Sequence, residues 1–212
     1  MVKNRLLTSL FLIVFSLVLC MVSTSEAAWK IKAVDAPKQF SNFYSRAIAV
    51  DAGGHPHIAY GGDHLYYAYH DGSKWHRKTL DSSPGVGQYA SIALDTSGKV
   101  HISYFDSANL DLKYVTNASG SWVITTVDSS GDVGQYTSIA VDTSGKVHIS
   151  YYDRGRDFIK YATNASGSWV KTNVDSSGDV GQYTSIAVDT LDKIHISYYD
   201  VTNAALKYAT NK

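Results

Sequence analysis

The 212-residue chain contains one cysteine, Cys20, and one glutamate, Glu26, and both fall within its first 27 residues. Beyond them no disulfide can form and every side-chain carboxylate is an aspartate, so a fold here is held by an apolar core and not by cross-links. Charge of one sign is lacking as well: Lys and Arg number 19, Asp and Glu number 19, and no block of like charge occurs. That excludes the basic stripe that a nucleic-acid partner requires. Long apolar runs are absent except for Leu6 to Val22.

That run is preceded by Lys3 and Arg5 and followed by the small residues Ser25 and Ala27, the pattern of a secretory signal peptide over residues 1–27. An uncleaved anchor is the alternative, because 17 mostly apolar residues lie at the lower bound for spanning a bilayer. Cleavage after Ala27 leaves 185 residues, one domain in size. It removes Lys3, Arg5 and Glu26, so 19 and 19 become 17 basic and 18 acidic residues, a near-neutral secreted protein with no membrane attachment.

The mature region repeats itself. Ser91, Ser138 and Ser185 are spaced by 47 residues, as are His101, His148 and His195, and a copy three residues shorter carries His57. Within the third copy four runs rich in Val, Ile, Tyr and Trp, near 136–142, 146–152, 157–163 and 168–174, are divided by Gly, Asn, Asp and Ser, which predicts four antiparallel strands, A to D. Four-stranded units at this period predict an all-β fold, a β-propeller, with blades near 46–80, 89–127, 136–174 and 183–209; an open β-solenoid is the alternative. The last copy stops after its strand C, whereas residues 28–35, AWKIKAVD, resemble SWVITTVD at 121–128. The expectation is therefore four four-stranded blades, the last completed by an N-terminal strand in which Trp29 to Val34 pairs with Ala204 to Ala209. Such a chain is a monomer, or a dimer that exchanges those strands.

The motif SIAVDTSGKVHISYYD at 138–153, with Leu112-Lys113-Tyr114 and Leu206-Lys207-Tyr208, resembles the repeats of NHL-type propellers and of BNR-repeat proteins in the sialidase-like superfamily. The resemblance implies a propeller and says little of function, since propellers host binding proteins, hydrolases and lyases alike. Sialidase chemistry needs a Tyr activated by Glu and three Arg on a substrate carboxylate. The mature region has no Glu, and its arginines, Arg46, Arg77, Arg154 and Arg156, occupy no equivalent repeat positions.

Strand order sorts the loops into two faces. The A-B and C-D turns are short, while the B-C and D-A connections are longer and rich in Asp, so a site is expected on the latter face. Candidates there are Asp106, Asp153 and Asp200 at the ends of strand B, and Gln88, Gln135, Gln182, Tyr136 and Tyr183 after the D-A loops, a mixture of acceptors, donors and ring faces that suits a sugar. Residues that break the repeat suit a unique site better: Asp63 and His64 in the first blade, Arg154, Arg156 and Asp157 in the third, expected to face each other across the axis. The repeated His57, His101, His148 and His195 read as structural, bonded to neighbouring backbone or Ser, with no metal; no cofactor is called for. The sequons at Asn117 and Asn164 read as turn chemistry. The leading functional reading is a secreted, non-catalytic binder of a carbohydrate or other cell-surface ligand, or an interaction scaffold. The alternative is a glycan-processing hydrolase or lyase using Asp, His and Tyr on the same face.

Overall fold

The computed structural model describes residues 30–35 and 45–211. The expected leader over residues 1–27, and Trp29, lie outside the described residues. The described chain contains fifteen strands and no helix. The first sheet takes β1 (Ser45–Val50), β2 (Pro56–Gly61), β3 (Leu65–His70) and β4 (Trp75–Asp81) in sequence order. The second takes β5 (Val86–Leu94), β6 (Val100–Asp106), β7 (Asp111–Thr116) and β8 (Val123–Asp128). The third takes β9 (Val133–Val141), β10 (Val147–Asp153), β11 (Phe158–Thr163) and β12 (Val170–Asp175). The fourth takes β13 (Val180–Val188), β14 (Ile194–Asp200) and β15 (Ala205–Thr210). All neighbouring pairs are antiparallel meanders, as the short Asp- and Gly-containing turns dictate.

The core lies between successive sheets. One buried cluster joins Leu65 and Tyr67 of the first sheet to Val86, Ile102 and Tyr104 of the second; a second joins Leu112 and Tyr114 to Val133, Ile149 and Tyr151; a third joins Ile159 to Val180, Ile196 and Tyr198. Close approach sets a condition on β9 and β13: a Cβ at Gly134 would stand 2.7 Å from Leu112 Cα, and one at Gly181 2.6 Å from Ile159 Cβ, so only glycine lets one sheet settle on the next.

A polar clamp repeats at each junction. Tyr104 donates to Asp81 at 2.8 Å, Tyr151 to Asp128 at 2.8 Å and Tyr198 to Asp175 at 2.9 Å. Lys113, Lys160 and Lys207 complete the clamps at 3.3, 2.7 and 3.1 Å. Burial alone would raise the Asp128 carboxyl, but Lys160, Ser130 and Tyr151 outweigh it and hold it well below the usual carboxylate range. The repeated histidines serve the same framework: the Nδ1 atoms of His57, His101, His148 and His195 each lie 2.6 Å from a tyrosine hydroxyl, on Tyr67, Tyr114, Tyr161 and Tyr208. Their partners are Tyr rather than the backbone or Ser expected from sequence. Asn117 and Asn164 accept the Val100 and Val147 amides at 2.8 Å, which ties each C-D turn to the start of strand B.

The fourth sheet departs from expectation. It has three strands, and among the described residues β15 pairs only with β14. Residues 30–35 lie in no strand. Val34 packs on Tyr60, Tyr66 and Ala68 of the first sheet, and Asp35 accepts from the Tyr60 hydroxyl at 2.9 Å and pairs with Arg77 at 3.4 Å. Asp35 thus meets Tyr60 as Asp81 meets Tyr104, and the strand expected to complete the last sheet is not among the described strands. No core cluster among the described residues joins the fourth sheet to the first.

Candidate functional site

The third sheet breaks the repeat where β10 turns into β11. At the register of Phe105, Ser107 and Leu110 in the second sheet it carries Tyr152, Arg154 and Asp157, and the fourth sheet carries Tyr199, Val201 and Ala204. The backbone demands φ near 62° at both Leu110 and Asp157, a left-handed conformation that Asp adopts more readily than Leu. These three side chains line a cleft of about 430 Å³ between the third and fourth sheets, at the B-C and D-A end of the strands. Asp132, Gln135 and Tyr136 enter from the loop before β9 and from β9, and Asp179 and Gln182 from the matching place before and within β13.

Acceptors dominate the cleft. Arg154 Nη1 lies 3.2 Å from Asp132 Oδ2, and Gln135 Nε2 donates to Asp132 Oδ1 at 3.1 Å, so the one guanidinium is already matched to a carboxylate. The Tyr152 hydroxyl lies 2.8 Å from Asp157 Oδ1 and 2.7 Å from Asp179 Oδ1. A phenol has one proton, so it satisfies one carboxylate and leaves the other ready to accept from a ligand hydroxyl. Burial, reinforced by Asp179 and Asp157, pushes the Tyr152 phenol well above its usual range and keeps it protonated.

An aromatic row adjoins the cleft. Tyr89, Tyr136 and Tyr183 all sit at φ 53°, within irregular registers of β5, β9 and β13. Their rings lie 4.8 and 4.6 Å apart in succession, and Tyr152 adds a fourth ring 6.1 Å from Tyr136. Three bulky residues held left-handed at one repeat position store backbone strain, which the surrounding strands hold in place.

Of the residues singled out from sequence, Arg154, Asp157, Gln135, Gln182 and Tyr136 meet in this cleft, and Tyr183, 69% exposed, extends the row. The others are spent elsewhere. Asp106 accepts from Asn109 and the Ala108 amide, and Asp200 accepts from Asn203 and pairs with Lys207 at 2.8 Å; both are buried. Asp153 is fully buried and pairs with Arg156 at 2.9 Å, and Arg156 also donates to the Ser130 carbonyl, which props the loop. Gln88 donates to Ser107 at 3.0 Å. Asp63 accepts from Tyr66 and His64 Nδ1 lies 2.9 Å from the Ser83 carbonyl; neither lines the cleft, whose second wall is the fourth sheet and not the first. Tyr152, Asp132 and Asp179 were missed. Tyr152 recurs as Tyr199 and so reads as a repeated residue, while Asp132 and Asp179 stand where the second sheet has Gly85, a departure shared by two copies.

No family model matches the chain, and no curated protein matches it. Solved structures do. An uncharacterised protein from Dyadobacter fermentans aligns with a TM-score of 0.58 at 14% identity, over 77% of this chain and 51% of the other. An ulvan lyase of a new polysaccharide-lyase family aligns at 0.55 and 15% identity, over 84% and 57%. A six-bladed β-propeller lectin from Aleuria aurantia aligns at 0.50 and 18% identity, over 78% and 57%. The fold is of the β-propeller type. The chain spans just over half the length of these structures, and the likeness extends to fold alone.

Proposed function

We propose that the chain is an exported glycan-binding propeller whose cleft between the third and fourth sheets takes a neutral, hydroxyl-rich sugar. The observation that carries this reading is the acceptor surplus: Asp157 and Asp179 compete for one Tyr152 proton beside the Tyr136 ring. Sugar hydroxyls supply the missing donors, and the CH face of a pyranose covers an aromatic ring. The names of the structural neighbours, a fucose-binding lectin and a polysaccharide lyase, agree with a carbohydrate ligand. Export rests on the leader sequence.

The test is a glycan array with the mature chain, followed by calorimetry on the best neutral glycan with Arg154→Ser and Asp157→Leu. These are the residues the second sheet uses at the same register, so the fold accepts them. Binding should fall at least about tenfold, the value of a charge-assisted hydrogen bond. Unchanged affinity in both variants sinks the reading.

A hydrolytic reading has one observation in its favour. The Asp157 and Asp179 oxygens both lie within hydrogen-bond reach of the Tyr152 hydroxyl and so are no more than about 5.5 Å apart, too close for the water of an inverting glycosidase pair and within the upper bound for a retaining one. Release of reducing sugar from the bound glycan, abolished by Asp157→Asn, would establish it. A lyase base at Tyr152 is disfavoured by its raised pKa.

A further inference from the structure

At the other end of the strands, on the A-B and C-D turns, the first two sheets enclose a second cleft of about 500 Å³. It too lies where the repeat is broken. The first sheet places Tyr69, His76, Arg77 and Lys78 at the register where the second has Thr116, Val123, Ile124 and Thr125. Trp122 and Asn117 of the second sheet form the facing side.

Donors predominate among the polar groups of this cleft. Arg77 is engaged with Asp35 at 3.4 Å and with the Val34 carbonyl, and His76 Nε2 lies 2.5 Å from Asp71 Oδ2. Lys78 has no carboxylate partner among the described residues; its ammonium stands over the Trp122 ring, 5.9 Å from the centroid. The Tyr69 hydroxyl, the Asn117 side-chain amide N–H and the Trp122 indole N–H carry no hydrogen bond among the described residues. The Tyr69 ring is stacked on His76 at 4.7 Å and on Tyr67 at 5.7 Å, while Trp122 meets Tyr67 edge-on at 5.3 Å and lines the cleft beside the Lys78 ammonium, where a ligand face can lie against it. One uncompensated ammonium balances one negative charge, which excludes a polyphosphate and favours a singly charged ring of modest size.

We propose that this cleft binds a hexuronate residue, with the carboxylate on Lys78, the pyranose face on Trp122 and ring hydroxyls accepting from Tyr69 and Asn117. The inference is independent of the neutral-sugar reading, since the two clefts share no residue.

Methyl glucuronide and methyl glucoside, titrated against the mature chain by NMR with the Trp122 indole N–H resonance as the readout of this cleft, test it. The glucuronide should bind at least about tenfold more tightly, because a carboxylate on an ammonium adds a charge-assisted hydrogen bond. Lys78→Thr, the residue of the second sheet, should remove that preference, and Tyr69→Thr should weaken both sugars. Arg154→Ser should leave glucuronide binding unchanged. Equal affinity for the two sugars, an unchanged preference in Lys78→Thr, loss of glucuronide binding in Arg154→Ser, or competition by inorganic sulfate as effective as the glucuronide would each overturn the proposal.

Discussion

Where the second sheet has Phe105, Ser107 and Leu110, the third has Tyr152, Arg154 and Asp157; where the second has Thr116, Val123 and Thr125, the first has Tyr69, His76 and Lys78. Measured against the second sheet, the third carries its cleft-lining departures at the B-C and D-A end, whereas the first, whose B-C turn is three residues shorter, carries its own at the A-B and C-D end. The third sheet has carboxylates and a phenol at the B-C end, and the first has aromatic rings and, at the opposite end, an ammonium with no carboxylate partner among the described residues. In both, three or four substitutions convert a junction that only packs into a cleft with unsatisfied polar groups. Repeated positions keep the sheets together and departures from the repeat supply chemistry.

The largest expected effect separates those two roles. Asp128 is fully buried and accepts from Tyr151, Lys160 and Lys171. Asp128→Ala strands the buried Lys160 ammonium without its main partner, which should cost about 3–5 kcal/mol in urea unfolding. Arg154→Ser and Lys78→Thr, on exposed side chains, should each change stability by less than about 0.5 kcal/mol. If the cleft variants lose as much stability as Asp128→Ala, the clefts are part of the framework and the division fails.

A middle-sized effect distinguishes the clefts from each other. Raising salt from about 0.01 M to about 1 M shortens the screening length from roughly 30 Å to roughly 3 Å. Binding of a uronate at Lys78, which is exposed, should weaken several-fold over that range, while a neutral sugar held by Asp157 and Asp179 should be insensitive. Equal salt dependence at the two sites would remove the charge distinction between them.

Much of this was legible beforehand, and for a physical reason. A period of 47 residues fixes strands, turns and core at once, because Ile102 and Ile149, or Tyr104 and Tyr151, must meet the same surroundings in each copy. Arg154 and Asp157 were legible as departures from it. Their partners were not: facing them with Asp63 and His64 assumed contact across a closed ring, whereas the cleft is closed by Asp179 and Gln182 of the next sheet. The donor-rich cleft was passed over because the turns around it are short. Its chemistry lies on strand ends, at Tyr69 and Lys78, and shows only when the strands are set in register.

The smallest effect concerns the framework histidines and bears on whether the repeat itself answers to pH. His101 is 2% exposed, with Nδ1 2.6 Å from the Tyr114 hydroxyl and Nε2 3.4 Å from Asp95. Burial pushes its pKa below the usual value, and Asp95 restores only part of the loss. In the unfolded chain the ring takes up a proton near about pH 6.5, whereas in the fold it does so only at lower pH, so the unfolded state binds more protons within that window. Stability should therefore fall as pH drops from about 7 towards about 5, before the framework carboxylates begin to protonate. Asp95 itself belongs to the lower range: burial opposes its charge, but the Lys99 and Ser97 amides and His101 hold it below the ordinary carboxylate value, so its contribution is lost only at more acid pH. His101→Gln removes the titrating ring, lowers stability at every pH and should flatten the slope between about pH 7 and about pH 5. A slope that persists unchanged in the variant would assign the pH response to other groups and leave His101 a purely steric part of the framework.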